Sequence, residues 1–525
     1  MNSSKASASS FRYSIALAST CYLLSASAAA AQNVQHLSTA QPGGMPGRPV
    51  LTGLVLGTTN VTVTWDGPSG YYQLFQSLDL AHPHWQAVGP RTNLSRRAVL
   101  PSSAQNALFR ISGPAPHYAG WQNCVECHQP TYQEVSKTGH AQAFADLKQV
   151  SQDKNPACLP CHTVGYGVPT GFVSAAATPH LVGVQCENCH GVAGNHAANP
   201  DDPTVRPRIE LAATVCGGCH TQTFSQWQST GHAVVVEDMN PSNRIDSCGR
   251  CHSGSVREAL LEGNPLPAGD ANVPIVCGTC HDAHSDTGNP AQLMNPVFST
   301  NNYFIKTSGT FASQYNPDIN LCAQCHNHRG ADWKSNSRSP HHSPQYNILL
   351  GNIGELPAGP AQFAPATHGI AITNQCVGCH MQKGAPQDQY HPALHGHTFK
   401  VDTYTLCEQC HSQPAGLIEF TTNIVSGQIH DIKAALDLWG QTKAPEPLRS
   451  KYGALAWEYT TPGDLSPGGS GPNSTEQALI PANIQKARFN LYLVLYDGSF
   501  GVHNGPFSLT LLDTAEAWVQ TELNK

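Results

Sequence analysis

Nine times the 525-residue chain spells Cys-x-x-Cys-His. The motifs are Cys124-Cys127-His128, Cys158-Cys161-His162, Cys186-Cys189-His190, Cys216-Cys219-His220 and Cys248-Cys251-His252. They continue with Cys277-Cys280-His281, Cys322-Cys325-His326, Cys376-Cys379-His380 and Cys407-Cys410-His411. Two thiols three residues apart reach the two vinyl groups on one edge of a haem and form thioethers. The His after the second thiol then sits under the iron as proximal ligand. Covalent attachment lets a short peptide hold a large flat apolar cofactor without building a full pocket.

Two other chemistries use paired cysteines. Zinc sites do, but zinc does not require His directly after the second Cys. With 27 His in 525 residues, nine such coincidences would arise by chance less than about once in 10¹¹. Redox-active thiol pairs come singly and not in ninefold arrays. The expected cofactor is therefore nine covalently attached haem c groups. Of 19 cysteines, Cys21 lies in a leader-like segment and the other 18 all belong to the motifs. None is left for a structural disulfide.

Each iron takes a second axial ligand unless it is kept open for chemistry. From His117 onward, 15 histidines remain beyond the nine proximal ones, enough for every iron to be bis-His. Methionine is a thin alternative, with only Met239, Met294 and Met381 in this region. A repeat selects among the spare histidines. His140 follows His128 by twelve residues in Lys137-Thr138-Gly139-His140-Ala141, and His232 follows His220 by twelve in Ser229-Thr230-Gly231-His232-Ala233. Tyr132 and Phe224 match at the same offset, and His196 and His284 follow the third and sixth motifs closely. The motifs thus read as three triplets, the third elongated by an insertion holding His341 and His342. The distal candidates are His140, His196, His232, His284, His341 or His342, His368, His397 and His503. A ninth is sought among His117, His180, His395 and His430.

The elements that position these residues fall in five segments. Residues 1–31 resemble a secretory signal. Lys5 and Arg12 precede an apolar run from Tyr13 to Leu24, then a small-residue cleavage site, with the cut expected after Ala31. The run is too short for a transmembrane anchor, and Thr20 is a poor residue before a lipidated Cys21. Residues 32–47 are a linker. Residues 48–113 hold no Cys and alternate like short strands in Val61–Trp65, Tyr72–Phe75, Trp85–Val88 and Ala107–Ile111, with a turn at Asp66–Gly70. They predict a small immunoglobulin- or fibronectin-like β-sandwich, suited to docking or to capping. Residues 117–412 hold all nine motifs. At about 33 residues per haem, the cofactors must pack on one another and supply much of the apolar core. Residues 413–525 predict helices. Ile429, Ile432, Leu436 and Trp439 lie at helical spacing, as do Ile484, Ala487, Leu491 and Leu495 behind Pro481. Pro506 opens a last helix with Leu512, Ala515 and Val519 on one side. The fold class is thus multidomain: an N-terminal β-sandwich, a mainly helical and irregular multihaem core, and C-terminal helices.

Composition narrows the partners. Only 12% of residues are charged, the net charge is −7, and the 28 Lys and Arg are scattered, so no basic stripe points to nucleic acid. Gly and Pro, at 46 and 39, make a turn-rich chain that is nonetheless not a disordered polyampholyte.

The stretch from Cys124 to Phe144 resembles the multihaem cytochromes c of the c-554 type. Gln185-Cys186-Glu187-Asn188-Cys189-His190-Gly191, His341-His342-Ser343-Pro344-Gln345, Cys376-Val377-Gly378-Cys379-His380-Met381 and Gly501-Val502-His503-Asn504 resemble the wider superfamily. That group includes hydroxylamine oxidoreductase, pentahaem nitrite reductase and octahaem tetrathionate reductase. The resemblance runs from about Tyr118 to the C-terminus. It implies bis-His haems in stacked pairs, a helical C-terminal part, and roles in nitrogen, sulfur or respiratory electron flow. The chain departs from the nitrite and tetrathionate reductases, whose active-site haem has a Lys ligand, because every motif here ends in His. Its nine motifs also differ from the four, five or eight haems of those relatives.

Two functions follow as expectations. One is a secreted electron carrier, periplasmic, cell-surface or extracellular, passing electrons to redox proteins of the envelope or to an extracellular acceptor, with self-assembly through the sandwich. All-His attachment and surplus distal His point this way, and bis-His ligation pushes potentials low. The other is an oxidoreductase with one open haem acting on a small nitrogen or sulfur compound, with His328 and Arg329 near the seventh motif as proton-moving groups.

Overall fold

The computed structural model describes residues 11–17, 20–26, 50–56, 60–66, 72–78, 84–92, 97–101, 107–112, 118–209, 211–239, 248–266, 273–294, 321–358, 366–372, 374–386, 388, 390 and 393–525. The expected cleavage after Ala31, the linker at 32–47, turn residues 67–70 and His117 lie outside the described residues.

The chain divides into two compact units. The first is Met1–Ser225 with Val276–Gly278 and Asp282–Gly288; the second is Gln226–Ile275 with Thr279–His281 and Asn289–Lys525. The division falls between the fourth and fifth motifs, inside the second triplet. The sixth motif carries Cys277 in the first unit and Cys280 and His281 in the second.

The first unit opens with strands β1 (Phe11–Leu17), β2 (Thr20–Ala26), β3 (Val50–Leu56), β4 (Asn60–Asp66), β5 (Tyr72–Ser77), β6 (Gln86–Thr92), β7 (Arg97–Pro101) and β8 (Ala107–Ser112). One sheet runs β2-β1-β8-β5-β6 and the other β3-β4-β7. Strands β1 and β2, in the leader-like segment, extend an antiparallel set of three, with β1 parallel to β8. Period-two alternation explains β4: Val61, Val63 and Trp65 are buried while Thr62 and Thr64 between them are partly exposed. Those three pack with Leu51, Leu54, Tyr72, Leu74 and Phe109 into one core between the sheets.

Helix α1 (Trp121–Val135) carries the first motif and bends at His128, where φ is −114° and ψ is 37°. Pro130 two residues on cannot donate to the helix ladder, which accounts for the break. Helix α2 (Gly139–Gln149) presents Phe144 and Leu147 to a small core with Tyr118, Leu159, Val164, Phe172 and Leu181. Gly165 lies at φ +65°, and a Cβ there would strike the Tyr118 ring at 2.2 Å, so only glycine allows this approach.

In the second unit the C-terminal part is mainly helical, as the sequence predicts: α3 (Pro414–Thr442), α4 (Glu446–Tyr452), α5 (Ala482–Asp497) and α6 (Gly505–Leu523), with a largely irregular stretch at 458–475 between α4 and α5. Ile429, Ile432, Leu436 and Trp439 form the buried stripe of α3, and they meet Ile484, Ala487 and Leu491 of α5 and Leu512, Ala515 and Val519 of α6. Asn504 caps α6 by accepting from the Phe507 amide. Ile348 and Ile353 join this core from the insertion between the seventh and eighth motifs. Among the described residues, no helix is long and apolar enough to cross a membrane.

Candidate haem array

The backbone explains how each motif presents its three side chains. In the fourth, fifth, seventh and ninth motifs the His amide donates to the carbonyl of the first Cys, at 2.8 to 3.0 Å. This closes one helical turn, which sets the two thiols on one side and the imidazole one turn beyond. The third motif is a short helix, Cys186–His190, whose entry is a capping box made by Gln185 and Asn188.

The proximal imidazoles face second imidazoles at a nearly constant spacing. Ring centroids are 6.0 Å apart for His220 and His140, 5.9 Å for His190 and His284, and 5.9 Å for His252 and His341. They are 6.2 Å apart for His326 and His232, for His281 and His397, for His411 and His368, and for His380 and His503. Two metal–imidazole bonds of about 2 Å, with about 1.1 Å from each nitrogen to its ring centre, put the centroids about 6.2 Å apart. Seven ring pairs therefore have the gap that one six-coordinate iron spans. A zinc site needs four protein ligands, and among the described residues no cluster of three or more His, Cys, Asp or Glu could hold a metal ion. Paired imidazoles suit a metal whose other four positions are filled by a macrocycle.

The rings are also in the tautomer that coordination requires. A carbonyl oxygen only accepts, so a ring Nδ1 beside one carries the proton and Nε2 keeps its lone pair. This holds for His162 beside the Ala143 carbonyl at 2.7 Å, His190 beside Arg208 at 2.8 Å, and His281 beside Ala291 at 2.7 Å. It holds likewise for His380 beside Phe399 at 3.0 Å, His368 beside Val502 at 3.1 Å and His397 beside His395 at 2.9 Å. His341 donates to Ser343 Oγ at 2.9 Å, because that hydroxyl spends its own proton on the Asn327 carbonyl. Burial keeps rings neutral. It holds His232 down at about 4, helped by His326. Burial, then Arg329 and His252, holds His341 at about 3. His140 is lowered by burial and then by His220.

The thiols, which stand where thioether sulfurs would be, touch between motifs. In the first unit Cys124 meets Cys186, Cys161 meets Cys219 and Cys216 meets Cys277, with Cys189 close to Cys216. In the second, Cys251 meets Cys325 and Cys322 meets Cys376, with Cys280 close to Cys322 and Cys379 close to Cys407. Beside the ninth motif a cavity of about 450 Å³ is lined by Cys410, His411, Gly416, Leu417 and Phe420.

Not every expected residue falls in this pattern. His342 does not: its ring stacks on Tyr496 at 3.8 Å and approaches the Asp464 carboxylate at 3.8 Å. His196 lies close enough to His128 for each charge to sense the other. Among the described residues, no second imidazole stands opposite His162 at the common spacing.

The structure adds positions that motif reading passed over. Glu187, in a variable position of the third motif, is 3% exposed. Its carboxylate accepts from the amides of Ala119 at 3.1 Å, Gly120 at 2.9 Å and Ala193 at 2.7 Å. The signal available was a charged residue inside a Cys-x-x-Cys pair. Glu187→Ala strands these three donors, at an expected cost of about 3 kcal/mol. Urea unfolding followed at the Soret band checks this, and an unchanged midpoint would contradict it. Asp497, beside His503, is the other addition. Its signal is an acidic residue six positions before a distal candidate, across a Gly-rich turn.

The comparisons agree with this geometry. Residues 123–191 match the family described as cytochrome c554 and c-prime. Cytochrome c-554 of Nitrosomonas europaea is 31% identical over 102 residues, 16% of this chain and 42% of that protein. The C-type polyheme cytochrome OmcB of Geobacter sulfurreducens is 23% identical over 324 residues, 57% of this chain and 40% of that protein. The chain therefore spans about two fifths of the length of these two relatives. The crystal structure of the outer cell wall cytochrome OcwA superposes with a TM-score of 0.50 at 19% identity, covering 77% of this chain and 100% of that one. That likeness is one of fold. The attachment motifs, the facing imidazoles and these relatives place the chain among the multihaem c-type cytochromes.

Proposed function

We propose that the chain binds nine haem c groups through its nine Cys pairs and conducts electrons along them outside the cytoplasm. The observation that carries this reading is the set of seven imidazole pairs at 5.9 to 6.2 Å. Seven distal roles follow from it. His140 serves the iron at His220, His284 that at His190, His341 that at His252 and His397 that at His281. His232 serves His326, His503 serves His380 and His368 serves His411. His196, which lies near His128, is assigned to that iron. Bound haem supplies a one-electron ferric–ferrous couple. The protein's part is to close both axial positions, fix the ring tautomers and hold neighbouring cofactor edges in contact through the touching thiols.

Those thiols support an order of passage. In the first unit they join motif one to three, three to four, two to four and four to six. In the second they join five and six to seven, seven to eight and eight to nine. The leader-like segment supports export, as does the description of OcwA as an outer cell wall cytochrome. The partners would then be redox proteins of the envelope or an extracellular acceptor.

A film of the mature protein on an electrode tests the reading. Reversible waves with no added catalytic current in nitrite or hydroxylamine are expected. A catalytic current would assign the oxidoreductase reading instead. The iron at His162 is where an open axial position would then be sought.

A further inference from the structure

The facing rings described above mostly donate Nδ1–H to neutral acceptors. His503 does not. Its Nδ1 lies 2.7 Å from Oδ1 of Asp497, whose side chain is fully buried. The turn that ends α5 holds the carboxylate there, through Gly498 at φ +71°, Phe500 at φ +48° and Gly501 at φ +93°. Oδ2 accepts from the Ser499 hydroxyl and, at 3.4 Å, from the Ser499 amide. The Ser499 hydroxyl oxygen in turn accepts from the His503 amide at 3.1 Å. The arrangement is a carboxylate–imidazole pair aimed across the gap at His380.

A carboxylate on the outer nitrogen makes an imidazole a stronger donor to its metal. It also brings a buried negative charge close to the iron, where little water screens it. Both effects favour the ferric state, which carries one more positive charge than the ferrous. By contrast, the Asp238 carboxylate, 3.7 Å from the proximal ring of His252, is 69% exposed, so solvent screens it.

We infer that Asp497 is a positioning residue that makes the iron between His380 and His503 a low-potential step in the array. This rests on the axial role proposed for His503. The step stands between the seventh and ninth motifs on the thiol route, so electrons leaving the ninth site toward the seventh must climb over it. With haem bound there, the site would pass one electron at a time between its neighbours, with no proton transfer.

The test uses the full, haem-loaded protein. Asp497→Asn keeps an acceptor for Nδ1–H and removes the charge. One midpoint among the nine should rise enough to change the ferric-to-ferrous ratio about tenfold at a fixed potential, about 59 mV for one electron. The g values of one low-spin ferric signal should move with it. Ser499→Ala frees the carboxylate from its hydroxyl donor and should shift the same midpoint downward, which decides the matter if the Asn variant does not fold. Unmoved midpoints in both variants overturn the inference while leaving the haem array intact. His503→Ala separates the two claims. It should create a high-spin ferric signal from one iron, and its failure to do so would withdraw the axial role and the inference together.

Discussion

Arg488→Met is expected to lower the stability of the second unit by about 3–5 kcal/mol, because it removes one partner from a buried charged network. Arg488 is 0% exposed. One guanidinium nitrogen donates to the carbonyls of Trp457 and Glu458 at 2.7 and 2.8 Å. Another donates to Asn336 Oδ1 at 2.7 Å and Gln477 Oε1 at 2.9 Å. The head group also lies 4.1 Å from the Tyr459 ring centre. Methionine fills the space but takes the guanidinium donors from Trp457, Asn336 and Gln477, leaves the Glu458 carbonyl only its bond from Gln477 Nε2 at 2.9 Å, and leaves the buried Glu458 carboxyl without its cation. Burial already raises the Glu458 pKa, against the pull of Tyr492, Ser466 and Arg488. A carboxyl whose folded pKa exceeds its unfolded value favours the fold as pH falls, and opposes it as pH rises through the folded value. Without Arg488 that opposition grows, so the variant's deficit should be larger at neutral than at mildly acidic pH. Thermal unfolding by circular dichroism at both pH values checks this, with a fall of about 10 °C expected at neutral pH. An unchanged midpoint, or a deficit that grows in acid, would contradict the account.

The second large effect concerns conduction. Cys322→Ala combined with Cys325→Ala should yield a protein with eight haems instead of nine. Among the described residues of the second unit, the thiol links that join the fifth and sixth motifs to the eighth and ninth pass through the seventh: Cys325 meets Cys251, Cys322 meets Cys376 and Cys280 lies beside Cys322. Electron exchange between the fifth and sixth sites on one side and the eighth and ninth on the other should therefore collapse. The matched variant, Cys158→Ala with Cys161→Ala, also loses one haem. The second motif joins the first unit's series through Cys161 and Cys219 as a side branch, so exchange among the remaining sites should persist. Pulse reduction followed at the Soret band distinguishes the two. Equal exchange rates in both variants would refute the branched order.

The proposed attachment motifs and the C-terminal helices can be read from the sequence because each signal is local. A Cys-x-x-Cys-His motif fits within one helical turn, and the stripe Ile429, Ile432, Leu436, Trp439 repeats at the helical period. The axial pairs were not legible, because they join residues far apart in the chain. The repeat that singled out His140 and His232 has a structural meaning its spacing does not state. His140, after the first motif, faces His220 of the fourth; His232, after the fourth, faces His326 of the seventh. The opening motifs of the second and third triplets thus each face an imidazole from the triplet before. Likewise nothing in His341-His342 tells which ring turns to the iron gap; Tyr496, 154 residues later than His342, decides it by offering a stacking face. In the sandwich, β3 and β7 escaped the pattern. The register shift between Leu51 and Gly53 interrupts the alternation of β3, and β7 is a five-residue edge strand.

The central claim is that the eight irons with an assigned imidazole pair are closed on both sides. Low-temperature electron paramagnetic resonance of the fully oxidised protein, with spins integrated against haem content, tests it most directly. Low-spin ferric signals accounting for at least eight irons are the predicted result. A high-spin ferric signal equal to two irons or more would contradict it.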